Sequence, residues 1–350
     1  QDLMRSERGR VQCGQECSRD RQKQSAAPGH NTLFVLFPIA TAIHVGVRTS
    51  PLRQHRNSDV LSITARGLVK RHGQAAGSEM KTEYRTIDNG GLWGGRLHLF
   101  DSLPSTNRWA MDNLPACRHG DVISAAAQTA GRGRFARTWL SPGNRGLALS
   151  TVLRPPALKS ELIPATGFVA ALALRETLAA FEIEAMLKWP NDVVTGDRKI
   201  SGILAELDAA TETVVLGIGL NVNVTGDDLR GAGLEGTATS MLISRNRKFV
   251  VEDVRARLIP CLQAWFDRIT REGFARVTDE WARHDWLAGH AVEIQATQGA
   301  VRGVYAGMDA AGALCLFDSA GARHVFPTGD VARLRTPERN QPSACQPHLP

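Results

Sequence analysis

The densest group of side chains fit for chemistry lies in Gln128-Thr-Ala-Gly-Arg-Gly-Arg-Phe-Ala-Arg137-Thr-Trp139, where Arg132, Arg134 and Arg137 share a stretch with Gly131 and Gly133. The glycines admit backbone conformations closed to other residues. Three guanidiniums on such a loop suit an anion with several oxygens, because each can bind phosphate or carboxylate through paired hydrogen bonds. An Arg-Gly RNA-binding segment or a plain solvated loop has the same composition, and on this motif alone the alternatives stand level. No Gly-Lys-Ser/Thr ends the stretch, so it is not a Walker loop.

Four weaker signals surround it. Lys188-Trp-Pro-Asn191-Asp192 sets a cation and a carboxylate four residues apart around a rigid Pro190 corner, although such a corner is by itself more often an ordinary turn. Lys199 opens a strand kept slim by Ser201, Gly202 and Ala205, and alone it reads more readily as a snorkelling edge charge than as a catalytic group. In residues 214–224 a period of two places Ile218, Leu220, Val222 and Val224 on one face and Gly217, Gly219, Asn221 and Asn223 on the other. The second face is bare backbone ending in two amides, which lets a flat or extended ligand lie against the strand. A Rossmann fingerprint is rejected there, since the third glycine is missing and no helix starts. Ser105, Thr106 and Asn107 stand at a helix start, where a plain N-cap is the competing reading. No His/Asp partner marks Ser105 as a nucleophile, and no His-rich cluster marks a metal cage.

Certain elements must hold these groups in place. Strands are expected at 96–100, 121–127 and 146–153, with a helix from Ser105 to Leu114 and a loop at 129–145. Residues 161–182 are apolar nearly all round, as in a buried helix. Short strands at 185–188 and 192–195, a Gly196-Asp197 turn, longer strands at 199–207 and 213–224, and helices at 251–271 and 274–284 follow. The mixture suits an α+β fold, a mixed sheet with helices packed on one face. After Trp286, four or five short strands in about fifty residues predict a small SH3-like β-barrel. The expected division is a leader at 1–81, a catalytic domain at 82–286, the barrel at 287–336 and a flexible tail at 337–350.

Composition bounds the function. The chain has 350 residues, 43% of them hydrophobic, enough for real cores. Its net charge of +7 would fit a polyanion partner, but residues 1–95 hold 14 basic and 8 acidic side chains while residues 96–350 hold 28 and 27. The basicity therefore belongs to a segment with no sustained period, whose polar stretches read as disordered, and the biological start is expected at Met80. Cysteines at 13, 17, 117, 261, 315 and 345 make no disulfide framework or zinc spacing and read as unpaired thiols of a reducing cytoplasm. The apolar run 33–47, broken by Pro38 and His44, is too short to span a bilayer.

In this order and spacing, Ser105-Thr-Asn107, Gly131-Arg-Gly-Arg134 with Trp139, Lys188-Trp-Pro-Asn-Asp192, Lys199 ahead of Ser-Gly-Ile-Leu, and Gly217-Ile-Gly-Leu-Asn221 together resemble the biotin protein ligases. The resemblance spans about residues 96–335. It implies a fold of the class II aminoacyl-tRNA synthetase/biotin ligase type. It implies an enzyme that joins biotin to ATP, giving biotinyl-5′-adenylate, with Mg²⁺ on the nucleotide, and passes the biotinyl group to a lysine of the biotin carboxyl carrier protein of acetyl-CoA carboxylase. By the family pattern Lys199, Arg134, Lys188 and Asp192 carry the chemistry, with Lys199 bridging the biotin carboxylate and the α-phosphate. Ser105, Thr106 and Gln128 hold the polar ring of biotin, and Gly202, Gly217 and Gly219 give it room. Trp139, Asn191 and Asn221 face the nucleotide, with Asn107, Gly131, Arg132, Gly133 and Arg137 completing the binding set. Phe135 and Ala136 depart from the Arg-Gly often found there, which makes the loop less cationic and stiffer. No membrane or nucleic-acid partner is expected; a homodimer is compatible with the sequence. A lipoate ligase and a basic DNA-binding regulator of biotin genes are the rival readings. The Gly-Arg-Gly-Arg loop argues against the first and the lack of a helix-turn-helix pattern in residues 1–95 against the second.

Overall fold

Two antiparallel-rich sheets carry the chain, and the computed structural model describes residues 32–33, 69–72, 84–296 and 299–334 of it. Most of the expected leader, the apolar run beyond Leu33, Cys13, Cys17, Cys345 and the expected tail lie outside the described residues. The large sheet contains β1 (Thr32–Leu33), β2 (Val69–His72), β3 (Tyr84–Ile87), β4 (Leu97–Leu103), β5 (Val122–Gln128), β6 (Gly146–Leu153), β7 (Met186–Lys188), β8 (Asp192–Thr195), β9 (Arg198–Asp208) and β10 (Thr213–Asn221). They lie in the order β2-β3-β4-β5-β6-β10-β9-β8-β7, with β1 beside β9. Every pairing is antiparallel except β4 with β5. A parallel pair needs a crossover. Here it contains α1 (Thr106–Asp112), capped by Ser105 accepting from Arg108 N. The sheet is thus mixed, as expected, and the strand positions follow the sequence within a few residues.

The expectation of helices on one face is corrected. All eight residues of β6 are buried, the signature of a strand covered on both sides. Leu147, Leu149 and Leu153 join the core that holds α2 (Thr166–Ala180), whereas Val152 packs with Ile123, Ala125, Val215 and Ala110 of α1. On the α2 side α5 (Val251–Glu272) and α6 (Ala275–Ala282) complete the layer. Packed between sheet and α5, α2 needs no polar stripe, which explains its apolar circumference. Two short helices that the sequence pattern did not reveal, α3 (Gly226–Gly231) and α4 (Met241–Arg245), cover the segment after β10.

One buried carboxylate closes the parallel pair. Asp121, fully buried just before β5, accepts from Arg96 N at 2.7 Å and Arg118 N at 2.9 Å and pairs with the Arg96 guanidinium. Burial alone would push its carboxyl up, but the contacts from His98, Arg96 and the two backbone N–H groups outweigh it and hold the group well below the usual carboxylate range. Cys117 beside it is pushed up to about 11 by burial. The described cysteines Cys117, Cys261 and Cys315 are all buried and unpaired.

The second sheet is antiparallel, with β11 (Ala291–Ala296), β12 (Gly299–Met308), β13 (Leu314–Phe317), β14 (Arg323–Phe326) and β15 (Asp330–Arg333) in the order β14-β13-β12-β11-β15. The expected barrel is therefore not closed by hydrogen bonds among the described residues, since β14 and β15 do not pair. Yet only Pro327, Thr328 and Gly329 link these two opposite edges. Four strand spacings amount to ~19 Å in a flat sheet, more than the ~14 Å a three-residue link can span, so the sheet is curled toward a barrel. Its core is continuous with that of the large sheet through Val292, Ile294, Tyr305, Leu314, Leu316 and Val331. Trp189 Nε1 donates to Gly312 O at 2.9 Å, and Tyr305 donates to Asp285 across the same junction.

Candidate active site

A cavity of about 360 Å³ opens on the α1 side of the large sheet. The glycine face of β10 lines its floor, but the expectation that Gly202, Gly217 and Gly219 leave room for biotin is corrected, because the protein's own Asn107, Trp139 and Lys199 side chains pack against these glycines. The Asn107 amide lies against Gly217, where an added Cβ would stand 2.3 Å from Oδ1, and the Trp139 indole lies against Gly219, where a Cβ would stand 2.4 Å from Cε2. Asn107 is saturated by the protein itself. Its Nδ2 donates to Leu204 O and Glu206 Oε2, and its Oδ1 accepts from Ser150 Oγ at 2.6 Å. Ser150 Oγ also lies 2.7 Å from Thr106 Oγ1, and Gln128 Oε1 accepts from Thr106 N at 2.9 Å and from its hydroxyl at 3.2 Å. The helix-start residues are thus both cap and cavity wall.

The Gly/Arg stretch is a tight hairpin. Trp139 N donates to Gly131 O at 2.9 Å and Gly133 N to Arg137 O at 2.7 Å, with Arg134–Ala136 at the tip. Gly131 is required because a Cβ there would meet Trp139 O at 2.6 Å. Phe135 and Ala136 both hold positive φ, 53° and 57°, the left-handed region that costs non-glycine residues about 1 kcal/mol or more.

Partners from distant segments sort the five cations. Arg132 is bound by both oxygens of Glu206 at 3.0 Å, and Glu206 is fully buried. Arg137 pairs with Asp330, and Lys199 Nζ lies 2.7 Å from Asp192 Oδ1. Arg134 donates to neutral acceptors, Asn191 Oδ1 and Thr328 Oγ1 at 3.0 Å and Gly329 O at 3.4 Å. Lys188 has its ammonium 5.2 Å from the Trp286 ring centroid. Among the described residues neither Arg134 nor Lys188 has a carboxylate within ion-pair distance. Burial pulls both below their ordinary values, opposed by nearby carboxylates. A partly desolvated cation without a counter-charge stabilises any anion that reaches it.

The corner at Pro190 sets Lys188 opposite Asp192 across β7 and β8, although the Asp192 carboxylate pairs with Lys199 rather than with Lys188. Asn191 Nδ2 donates to Ile203 O at 2.7 Å while its Oδ1 receives Arg134, which ties the corner to β9 and to the hairpin tip. Asn221 Nδ2 donates to Thr239 O at 2.9 Å.

Residues 99–223 match the biotin/lipoate A/B protein ligase family. The biotin–[acetyl-CoA-carboxylase] ligase of Paracoccus denitrificans is 31% identical over 235 residues, 65% of this chain and 96% of that protein. The bifunctional ligase/repressor BirA of Escherichia coli is 31% identical over 266 residues, 71% of this chain and 77% of that protein. The chain belongs to the biotin protein ligase family. A solved structure, the biotin protein ligase from Aquifex aeolicus in complex with biotin and ATP, shares the fold at a TM-score of 0.60 and 24% identity, over 69% of this chain and 99% of that one.

The cavity of this ligase brings together every site residue expected from the sequence except Gly131, which shapes the hairpin without lining the space. Glu206, Ser150, Trp286 and Asp330 were not foreseen. Glu206 did leave a signal, as a lone carboxylate in the apolar strand Ile203–Leu207. Nothing local marks Asp330.

Proposed function

We propose that the ligase forms biotinyl-5′-adenylate from biotin and ATP and then biotinylates one lysine of the biotin carboxyl carrier protein of acetyl-CoA carboxylase. One observation carries the reading: two cations with no carboxylate in ion-pair distance among the described residues, Arg134 and Lys188, and the Lys199–Asp192 pair share one cavity with the hydroxyl and amide groups of Ser105, Thr106 and Gln128. The Aquifex relative's complex with biotin and ATP supports it.

In the first step a carboxylate oxygen of biotin bonds to the α-phosphorus and the α–β anhydride bond breaks, releasing pyrophosphate. Two anions must meet, so positive charge has to be supplied where they touch. Lys199 turns from Asp192 toward the reacting oxygens, while Arg134 and Lys188 face the phosphates. A Mg²⁺ ion carried by the nucleotide and largely hydrated would neutralise phosphate charge there. In the second step the acceptor lysine nitrogen bonds to the acyl carbon, AMP leaves, and Asp192, released from Lys199, takes the ammonium proton.

The experiment is an assay of the full chain with ATP, a carrier domain and either biotin or lipoate. ATP-dependent labelling by biotin alone is expected; lipoate labelling of equal efficiency refutes the biotin reading. The buried, unpaired described cysteines agree with a reducing cytoplasm as its location. BirA is named a repressor as well as a ligase, so a gel shift with the full chain also tests for DNA binding by residues 1–95, which is not expected.

A further inference from the structure

The hairpin that carries the arginines is held at two separate places. Its base is fixed to the large sheet by the Arg132–Glu206 pair. Its tip reaches across to the second sheet, where Arg134 donates to Thr328 Oγ1 and Gly329 O and Arg137 pairs with Asp330. Thr328 and Gly329 lie in the short link that turns β14 into β15, and Asp330, the first residue of β15, closes it. Outside the hairpin itself, the polar partners of the tip side chains among the described residues are this link and Asn191. Asp330 also lines the cavity.

We propose that the Thr328–Asp330 link is the seat of the hairpin tip, with Asp330 a positioning residue that acts through Arg137, so that the C-terminal sheet forms half of the lid over the site. A tip strained at Phe135 and Ala136 stays down only while outside contacts over-determine it. Loss of the seat frees the tip without disturbing the base. The consequence for the intermediate rests on the adenylate reading above; the seating itself does not.

Two measurements on the full chain separate these. Limited trypsin digestion of the ligand-free protein, read by mass spectrometry, reports cleavage after Arg134. Leakage of adenylate is read from random labelling of lysines on a bystander protein. Asp330→Asn should raise both by about two- to fivefold, the range of a half-exposed ion pair. Asp330→Glu should return both to wild-type rates, and the swap Arg137→Asp with Asp330→Arg should recover most of the tryptic protection. Thr328→Ala should add to the effect of Asp330→Asn, and cleavage inside buried α2, after Arg175, should not change. Wild-type rates in Asp330→Asn, failure of Asp330→Glu to restore them, or equal acceleration after Arg175 would each overturn the seat. Faster cleavage in a protein that makes no adenylate would leave the seat standing and remove the adenylate reading.

Discussion

Replacing Gly217 by alanine tests whether the bare face of β10 exists to seat Asn107. The new Cβ would stand 2.3 Å from Asn107 Oδ1 and 2.8 Å from its Cγ. Asn107 has nowhere to go, since it is 3% exposed and its amide is bound to Leu204 O, Glu206 and Ser150. Overpacking of this kind costs about 1–3 kcal/mol. Each buried polar group left unpaired by a shifted amide adds about 1–3 kcal/mol. The low ends, with two groups orphaned, give about 3 kcal/mol. For a body of this size that loss lowers the melting temperature by about 6–12 °C. Two other glycines calibrate the effect. A Cβ at Gly202 meets Lys199 Cε and Trp139 Cζ3 at 3.0 Å, ends of side chains that can give way, so Gly202→Ala should cost under about 1.5 kcal/mol. At Gly167, near the start of α2, nothing lies within 4 Å, and alanine should stabilise by about 0.5 kcal/mol. Urea unfolding followed by far-UV circular dichroism should rank the variants with 217 least stable, then 202, then wild type, then 167. A Gly217→Ala protein that unfolds with the wild type would refute the anchoring of Asn107.

Other substitutions separate the roles of the cations. Arg132→Ala strands the buried Glu206 and should destabilise the fold by about 3–5 kcal/mol, whereas Arg137→Ala, at a half-exposed pair, should cost no more than about 1 kcal/mol; unfolding midpoints of the two variants check this. Arg134→Gly removes a cation and the tip contacts together, and should let adenylate escape and label bystander lysines, as read by streptavidin blotting of a mixed lysate. Asp192→Asn should slow transfer from preformed adenylate more than it slows adenylation, and single-turnover assays of each half-reaction would show if the role is misassigned. Because the Asp121 carboxyl sits well below its unfolded value, its stabilisation is fully present above about pH 5 and is lost progressively as the pH falls below about 4 toward the depressed folded value. Asp121→Asn should therefore flatten the acid limb of stability against pH, measured by urea unfolding in steps from about pH 5 to about pH 2.

Most of the site's membership was legible in the sequence because its residues sit in short motifs whose local geometry is dictated by neighbours: a cap at Ser105, a proline corner at Pro190, a glycine alternation at Gly217 and Gly219. The strands were legible for the same reason, and the barrel-like second sheet from its glycine-spaced runs. What stayed hidden depended on contacts across the chain. The covering of both sheet faces was missed because a short α1 shows little periodicity, while β6, buried on both sides, has no polar alternation to report which face is which.

The order and spacing of the motifs marked most of the side chains that the ligase brings to its cavity, though not Trp286 or Asp330. Sequence alone could not distinguish Arg132, Arg134 and Arg137, three guanidiniums with the same local setting. Only the tertiary structure assigned one to a buried carboxylate, one to an aspartate of another sheet and one to neutral acceptors. Coulomb energy depends on distance through space and on burial, and the carboxylates that decide it, Glu206 and Asp330, lie 74 and 193 residues from the arginines they neutralise.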